Sequence, residues 1–277
     1  MIINITQHCT LRCPHCMQNA GPERKEMMSM ETFIKALRFA KNIGSSVVML
    51  SGGEPTSHPE FFEFLDALVK SSFMSVSILS NGTFLKDHAF TEKFADIVTG
   101  REGMFVQISS FKGLYANYDD VHKPNLKALR LFGKKAVVCN NPGDIRMKPL
   151  GRACSGEWYE EAKRVNGFPS CANAALILAQ TKVIHGIGIG ALLEQFGRLC
   201  LPIVSWDGSI RLGESEQCKV VANISEPERM SRINQKMFSF RPCGGCASYK
   251  WHFQNPSTQQ EKEVCSVLWP DREQDNQ

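Results

Sequence analysis

Three cysteines stand on one short stretch near the N-terminus, directly after a run of apolar residues. Cys9, Cys13 and Cys16 follow a C-x3-C-x2-C spacing with no fourth cysteine beside them. Three thiolates on one loop can hold three irons of a [4Fe–4S] cube and leave the fourth iron open to another ligand. A structural zinc ion would need four closed ligands, so the local count falls one short. The spacing therefore favours an open iron–sulfur cluster.

A second motif, SGGEP at residues 51–55, follows the next apolar run. With both motifs the sequence resembles the radical S-adenosylmethionine (radical SAM) superfamily, whose signature combines this cysteine spacing, an aromatic ring before the last cysteine and a GGE motif downstream. His15 fills the ring position. The resemblance implies an enzyme whose open iron chelates the amino and carboxylate groups of S-adenosylmethionine.

The same resemblance implies roles for residues around the cluster. The two glycines would let backbone approach the ligand closely, and Glu54 would accept a hydrogen bond from the bound amino group. Arg146 could pair with a carboxylate, although a solvated strand-end charge is an equal alternative. An electron from a flavodoxin- or ferredoxin-type donor would split the sulfonium, and the adenosyl radical would take a hydrogen atom from the substrate. The cofactor contacts predicted in this way are His15, Gly52, Gly53, Glu54, Ser80, Asn81, Ser109 and Arg146.

Length, composition and charge limit the classes of protein to which this chain could belong. The chain has 277 residues, of which 43% are hydrophobic, which predicts one large domain or one domain with a small appendage. A net charge of +4 is too mild to argue for nucleic acid. No apolar run is long enough for a membrane span, and no signal peptide is visible. An odd count of 11 cysteines without an export signal favours metal ligation over disulfides, and a cytoplasmic protein is expected.

The first half alternates strand and helix patterns. Repeated βα units of this length predict a parallel sheet with right-handed crossovers. Six units fit a partial (β/α)6 TIM-like barrel, which is also the α/β fold of the family resembled. The expected strands are residues 2–6, 47–50, 73–79, 104–109, 136–139 and 145–148, with helices after Ser29, after Pro59, around Phe94 and between residues 125 and 132.

Polar residues recur two apart along four of these strands. Strands covered by helices on both faces should be apolar on both faces, so the pairs indicate a wet lumen that binds something polar. Strand-edge polarity near turns is the alternative for any single pair. Sites in such sheets gather at the carboxyl ends of strands. The pairs are Asn4 with Thr6, Ser75 with Ser77, Gln107 with Ser109, and Arg146 with Lys148.

The second half changes character: glycine density rises and cysteines become frequent. Asp207-Gly208 between two apolar runs predicts a hairpin. The segment from Cys200 through Gly213 to Cys218 fits the C-x9–15-G-x4-C signature of the SPASM and Twitch auxiliary-cluster domains. Cys243 and Cys246 supply two more thiolates. No further C-x5-C-x3-C run follows, so one auxiliary iron–sulfur cluster, of the Twitch type and with the composition [4Fe–4S], is favoured over two.

A zinc ribbon is the alternative for these four cysteines, since paired knuckles with a hairpin are typical of it. Cys139 is interpreted as core filler, Cys171 and Cys265 as substitute or extra ligands, and Cys154 as a speculative hydrogen-atom donor. The predicted organisation is a barrel at residues 1–150, a connecting segment at 151–195 and a Twitch-like cysteine-rich domain at 196–277.

Neither motif fixes the substrate. The auxiliary-cluster branch includes peptide maturases and small-molecule enzymes. Many peptide maturases carry a leader-binding domain before the barrel, and here the first strand begins at residue 2. A separate leader-binding protein could serve instead. The leading prediction is modification of a ribosomally made peptide by crosslinking, dehydrogenation or epimerisation. The alternatives are radical chemistry on a sugar or nucleotide derivative, and a non-catalytic iron–sulfur scaffold, against which the intact GGE motif argues.

Overall fold

Strands and helices alternate along the chain in the computed structural model, which describes residues 1–14, 16, 18–42, 45–110, 123–139, 203–211 and 220–226. Each expected strand within these residues is present, with ends that differ from the prediction by up to two residues. The strands are β1 (Ile2–Asn4), β2 (Val47–Ser51), β3 (Ser75–Ser80), β4 (Met104–Ser109), β5 (Ala136–Cys139), β6 (Ile203–Val204), β7 (Ser209–Arg211) and β8 (Val220–Asn223).

The helices follow the apolar patterns. Ser29 caps the first helix as predicted, because its Oγ accepts a hydrogen bond from Thr32 N at 3.2 Å. The helix expected between residues 125 and 132 is mostly of the tighter 3-10 type, and Gly133 breaks its helical backbone with a φ of 55°. The helices are α1 (Met30–Asn42), α2 (Phe61–Val69), α3 (His88–Gly100) and α4 (Lys123–Asn125), which continues into the 3-10 helix Leu126–Lys135; 3-10 turns lie at Pro55–Ser57 and Thr83–Lys86.

All eight described strands lie in one sheet, in the order β5-β4-β3-β2-β1-β6-β7-β8. Neighbours from β5 to β6 pair in parallel, and the last three strands form antiparallel pairs. The α/β fold with a mainly parallel sheet is therefore confirmed. The sixth barrel strand predicted at residues 145–148 lies outside the described residues.

The two faces of the parallel strands differ in polarity. On one face alternate residues such as Ile3, Leu50, Ile78 and Ile108 have no exposed surface, and they pack against helix residues such as Phe94. The core also contains edge-to-face and stacked phenylalanine rings from α2 and α3. The opposite face carries the polar residues and is partly exposed, as expected of a lumen; its members include Asn4, Ser51, Ser75, Ser77, Gln107 and Ser109.

Thr6 departs from the predicted pattern. It lies beyond the end of β1 and is 1% exposed. Its hydroxyl donates to Glu26 O at 2.9 Å and accepts from His8 N at 2.9 Å. Thr6 therefore holds the backbone of the neighbouring loop, and its hydroxyl is not a lumen group.

The predicted hairpin is present. Gly208 takes a φ of 76° in the turn between β6 and β7, a conformation that glycine adopts readily. Ile210 and Val204 have no exposed surface and belong to the main core. The hairpin thus extends the sheet on the far side of β1, and β8, which the sequence patterns did not predict, adds a third strand. No helix in the described part of the chain is long and apolar enough to cross a bilayer.

Candidate active site

The loop that carries the three cysteines follows β1 and is closed by backbone hydrogen bonds. Gln7 N donates to Glu26 O at 3.0 Å, and Cys9 N donates to Gly21 O at 3.1 Å. Residues 21–28 therefore run back beside residues 5–9, and the described residues between these two segments form a loop. This fixes the cysteine loop at the carboxyl end of β1, the edge where parallel sheets bind ligands.

The three thiols of this loop differ in burial. Cys9 is buried, Cys13 and Cys16 are half-buried, and none of the three forms a disulfide. Cys16 N donates to Cys13 O at 3.2 Å, which puts these two residues on one turn. Burial raises the pKa of the Cys9 thiol to about 12; a hydrogen bond from Leu11 N opposes this, and the charges of Glu54, Cys13 and Cys16 add to it.

Their arrangement distinguishes two kinds of metal site. Among the described residues, no three His, Cys, Asp or Glu side chains converge on a single metal ion. A mononuclear zinc site requires such convergence. In an iron–sulfur cube each thiolate bonds a different iron, so the sulfurs stay apart while sharing one loop. Three thiols on one loop match the ligand count of a cube that leaves one iron open.

The SGGEP loop packs directly on the segment that leads to Cys9. Gly53 N donates to Thr6 O at 2.7 Å, and Glu54 N donates to His8 O at 2.8 Å. Gly52 has a φ of 135°, and a Cβ there would lie 2.5 Å from Thr6 O; a Cβ on Gly53 would overlap the His8 carbonyl. Both positions therefore require glycine because of a close backbone contact within the protein. The predicted reason, close approach to a ligand, stays a prediction.

Glu54 is turned into the protein. It has no exposed surface. Oε1 accepts hydrogen bonds from Thr56 N at 3.2 Å, Thr56 Oγ1 at 2.6 Å and Ser80 Oγ at 2.8 Å, and Oε2 accepts one from Asn81 N at 2.7 Å. Burial raises the pKa of this carboxyl, and the same donors oppose the rise. In this conformation Glu54 ties the SGGEP loop to the end of β3, and its predicted bond to a bound amino group stays a prediction.

Ser80 and Asn81, at the end of β3, are also bonded within the protein. Ser80 Oγ accepts from Gly82 N at 3.0 Å while it donates to Glu54. Asn81 Nδ2 lies 3.5 Å from Cys9 Sγ and 3.1 Å from Thr10 Oγ1. Their predicted contacts with a ribose or carboxylate stay predictions. The structure gives both residues a role in connecting β3 to the two motif loops.

Ser109 occupies a different position, on the lumen face of β4 beside Gln107. Both side chains are partly exposed there. Asn4, on the same face of β1, is 4% exposed, and its Oδ1 has no hydrogen-bond partner in the part of the chain that the structure describes. The lumen therefore offers neutral polar groups to a bound molecule.

Two residues near the motifs were missed by the sequence analysis. Thr56 supplies two of the donors to Glu54, and Thr10 bonds both Asn81 and Thr83. The sequence offered one signal for these roles: each threonine directly follows motif residues, Thr10 after Cys9 and Thr56 after SGGEP. Several predicted site residues lie outside the described part of the chain: His15, Arg146, Cys154, Cys200, Cys218, Cys243 and Cys246.

Comparison with known proteins agrees with this geometry. The sequence model of the radical SAM superfamily matches residues 3–109. A protein named probable GTP 3′,8-cyclase from Saccharolobus islandicus (strain M.14.25 / Kamchatka #1) is 32% identical over 95 residues, which cover 34% of this chain and 31% of that protein. The antilisterial bacteriocin subtilosin biosynthesis protein AlbA of Bacillus subtilis (strain 168) is 34% identical over 82 residues, which cover 30% of this chain and 18% of AlbA.

The fold also matches solved structures. Native anSMEcpe with bound AdoMet superposes with a TM-score of 0.52 at 14% sequence identity, covering 96% of each chain. The chain spans about a third or less of the length of the curated relatives described above. The matched region, residues 3–109, contains both motif loops. The superfamily is named for S-adenosylmethionine, the cofactor that the two motifs predict for this chain.

Proposed function

We propose that this chain is a radical SAM enzyme whose open cluster is held by Cys9, Cys13 and Cys16. The observation that carries the proposal is the contact between its two motifs. The segment before Cys9 accepts backbone hydrogen bonds from Gly53 and Glu54, at the carboxyl end of the parallel sheet. A cluster on the cysteine loop would therefore lie beside the glycine loop and at the mouth of the polar lumen.

The chain's own residues prepare this site. The half-buried Cys13 and Cys16 and the buried Cys9 would each bind one iron. Gly52 and Gly53 are partly exposed, so their backbone groups would be accessible to a ligand of the open iron. When bound, the cluster supplies the electron that cleaves S-adenosylmethionine to an adenosyl radical, which abstracts a hydrogen atom from the substrate. A flavodoxin- or ferredoxin-type protein is the proposed electron donor.

The first experiment measures release of 5′-deoxyadenosine. Anaerobically reconstituted full-length protein with a strong reductant and S-adenosylmethionine is expected to release it, because the three thiolates leave one iron free to bind the methionine group. Changing Cys9, Cys13 and Cys16 together to Ala should abolish release. Cys139→Ala, in β5, is the matched control and should retain release. Undiminished cleavage by the triple variant would remove the enzyme proposal.

We further propose that the substrate is a ribosomally made peptide. AlbA, named as a bacteriocin biosynthesis protein, supports this class, whereas the relative named as a GTP 3′,8-cyclase supports a nucleotide. The lumen faces of β1 to β4 carry amide, hydroxyl and apolar side chains and, among the described residues, no charged ones. Neutral groups suit a peptide segment better than a triphosphate, which is usually bound by cations.

Gene neighbours and mass spectrometry separate the two substrate classes. A short open reading frame beside the gene would supply the candidate peptide. Incubation should then give a mass loss of two hydrogens for a crosslink or dehydrogenation, or an isobaric product carrying solvent deuterium for epimerisation. Epimerisation would need a thiol donor such as Cys154. An unchanged peptide, together with stimulation of 5′-deoxyadenosine release by a sugar or nucleotide derivative, would transfer the proposal to small-molecule chemistry.

A second, auxiliary iron–sulfur cluster is proposed on Cys200, Cys218, Cys243 and Cys246. In the sequence Cys200 stands just before β6 and Cys218 just before β8. Both strands are antiparallel to β7, so the chain enters β6 and β8 at the same edge of the sheet. That shared edge supports joint ligation by the two cysteines in a Twitch-like domain.

A further inference from the structure

We infer that the side-chain amide of Asn81 tunes the reduction potential of the cluster through a hydrogen bond to Cys9, an inference that rests on the proposed function. Asn81 Nδ2 lies 3.5 Å from Cys9 Sγ, within hydrogen-bonding distance for a sulfur acceptor. Asn81 is 9% exposed and Cys9 is 8% exposed. The contact is therefore buried, where a hydrogen bond is electrostatically stronger than in water.

The orientation of this amide is fixed by its other partners. Thr83 N lies 2.9 Å from Asn81 Oδ1, and a backbone N–H can only donate. The oxygen of the amide must therefore face Thr83, and the NH₂ group must face the sulfur. The Asn81 backbone is held as well, because its N–H donates to Glu54 Oε2 at 2.7 Å. Asn81 is thus held at two points, its backbone N–H and its side-chain oxygen.

A hydrogen bond at this sulfur acts on the electron affinity of the cluster. A reduced cluster carries one more negative charge, and an N–H donor to a ligand sulfur stabilises that charge more than it stabilises the oxidised state. Hydrogen bonds to the sulfurs are among the factors that set cluster potentials. Cys9 also receives an N–H bond from Leu11 at 3.4 Å, so the buried ligand is supported by two donors. Asn81 therefore raises the potential and makes the cluster easier to reduce.

The second partner of the same NH₂ group supplies a matched control. Asn81 Nδ2 lies 3.1 Å from Thr10 Oγ1, which is itself 2.7 Å from Thr83 Oγ1. Thr10→Val removes both of these bonds and leaves the Asn81–Cys9 bond in place. If Asn81 acted only by stiffening the cysteine loop, the valine variant would reproduce the effect of losing the amide.

The test is an EPR-monitored redox titration of reconstituted full-length protein without S-adenosylmethionine. Signals from the Cys9/Cys13/Cys16→Ala variant are subtracted to remove any auxiliary cluster. Asn81→Leu should move the midpoint potential to a more negative value. Asn81→Asp keeps an acceptor for Thr83 N and puts a carboxylate oxygen beside the sulfur, so its potential should be lower still. Thr10→Val should leave the potential unchanged.

Each outcome is decisive. Equal potentials in the wild type and both Asn81 variants overturn the inference, as does an equal shift in Thr10→Val. If Asn81→Leu does not take up iron, the Asp variant, which preserves the bond from Thr83, carries the comparison. Failure of Asn81→Asp to load iron as well would assign Asn81 to loop structure alone. A wild-type chain that binds no cluster on the cysteine loop would instead refute the proposed function, and the inference with it.

Discussion

At the scale of single residues, Glu54 shows how a motif side chain can serve the protein itself. Two of its partners, Thr56 N and Asn81 N, are backbone N–H groups that can only donate, and each faces a different carboxylate oxygen. Both oxygens must therefore accept. The side chain joins the loop after β2 to the end of β3, and through Asn81 it is connected to Cys9.

Glu54→Gln is expected to destabilise the protein even in the absence of any cofactor. The glutamine NH₂ would face one of the two backbone donors, and a buried N–H left without an acceptor costs about 1–3 kcal/mol. Burial raises the pKa of Glu54 because a buried charge is costly. Glutamine carries no charge and avoids this cost, which offsets part of the loss. The measurement is the free energy of unfolding of the metal-free protein in urea.

The matched control is Glu102→Gln, at an exposed glutamate before β4. It should leave the free energy of unfolding within experimental error of the wild type. If Glu54→Gln proves equally neutral while it weakens binding of S-adenosylmethionine, the carboxylate faces the ligand in solution, and the internal bonds described for it are secondary.

At the scale of elements, His58 fastens the 3-10 turn after β2 to the segment that returns from the cysteine loop. Glu60 N donates to His58 Nδ1 at 3.1 Å, which requires the proton of the neutral ring to be on Nε2. Nε2 then donates to Met28 O at 3.0 Å. A further contact, 2.9 Å between His8 Nδ1 and Ser57 Oγ, joins the 3-10 turn to the segment that leads to Cys9. The motif loops are thus held to each other by ordinary structural contacts.

This histidine makes stability depend on pH. Burial lowers the pKa of His58 below its ordinary value of 6.5, although the bond to Met28 opposes the shift. The unfolded chain therefore takes up the proton first. Stability is fully present above about pH 6.5 and is lost as pH falls toward the folded pKa, by at most about 1.4 kcal/mol per pH unit for one proton.

His58→Asn should make the pH dependence shallower than in the wild type, since asparagine has no titrating ring. Urea unfolding of the metal-free protein at pH 7.5 and pH 5.5 measures it. His88→Asn, at an exposed histidine that opens α3, is the control and should retain the wild-type slope. A slope in His58→Asn as steep as that of the wild type would assign the pH dependence to other groups.

At the scale of the whole molecule, β1 is the strand that joins the βα part of the described sheet to the hairpin. It pairs with β2 on one side and with β6 of the hairpin on the other, both in parallel. The cysteine loop leaves its carboxyl end. The hairpin is part of the same hydrogen-bonded sheet and contributes Val204 and Ile210 to the main core. The cysteine loop and the hairpin are therefore connected through one strand.

Metal content tests this organisation. Two four-iron cubes predict about eight irons per fully loaded chain, and the Cys9/Cys13/Cys16→Ala variant should keep about half of them by ligand counting. Inductively coupled plasma mass spectrometry of reconstituted protein gives both numbers. Zinc in place of iron in the triple variant would establish a zinc ribbon, and a wild type with only four irons would remove the auxiliary cluster.

Much of the fold could be predicted from the sequence because its signals are local. Apolar residues at helical spacing marked α1 to α3, and the C-x3-C-x2-C and SGGEP spacings marked the two motif loops. The two-residue alternation in β3 and β4 predicted a polar lumen face, since successive strand residues point to opposite sides. A local pattern, however, also assigned Thr6 to that face, whereas the end of β1 places its hydroxyl on Glu26 O.

Tertiary structure alone decided how the motif residues meet. Asn81 and Cys9 are 72 residues apart, and they touch because β1, β2 and β3 are neighbours in the sheet. Ser80 and the backbone of Asn81, at the end of β3, donate hydrogen bonds to Glu54, and the contact with a ligand that the resemblance implies for Glu54 stays a prediction. No spacing along the chain encodes such contacts, because they depend on strand order and register. The sequence determined which residues could do chemistry, and the packing of three strands decided which of them support the others.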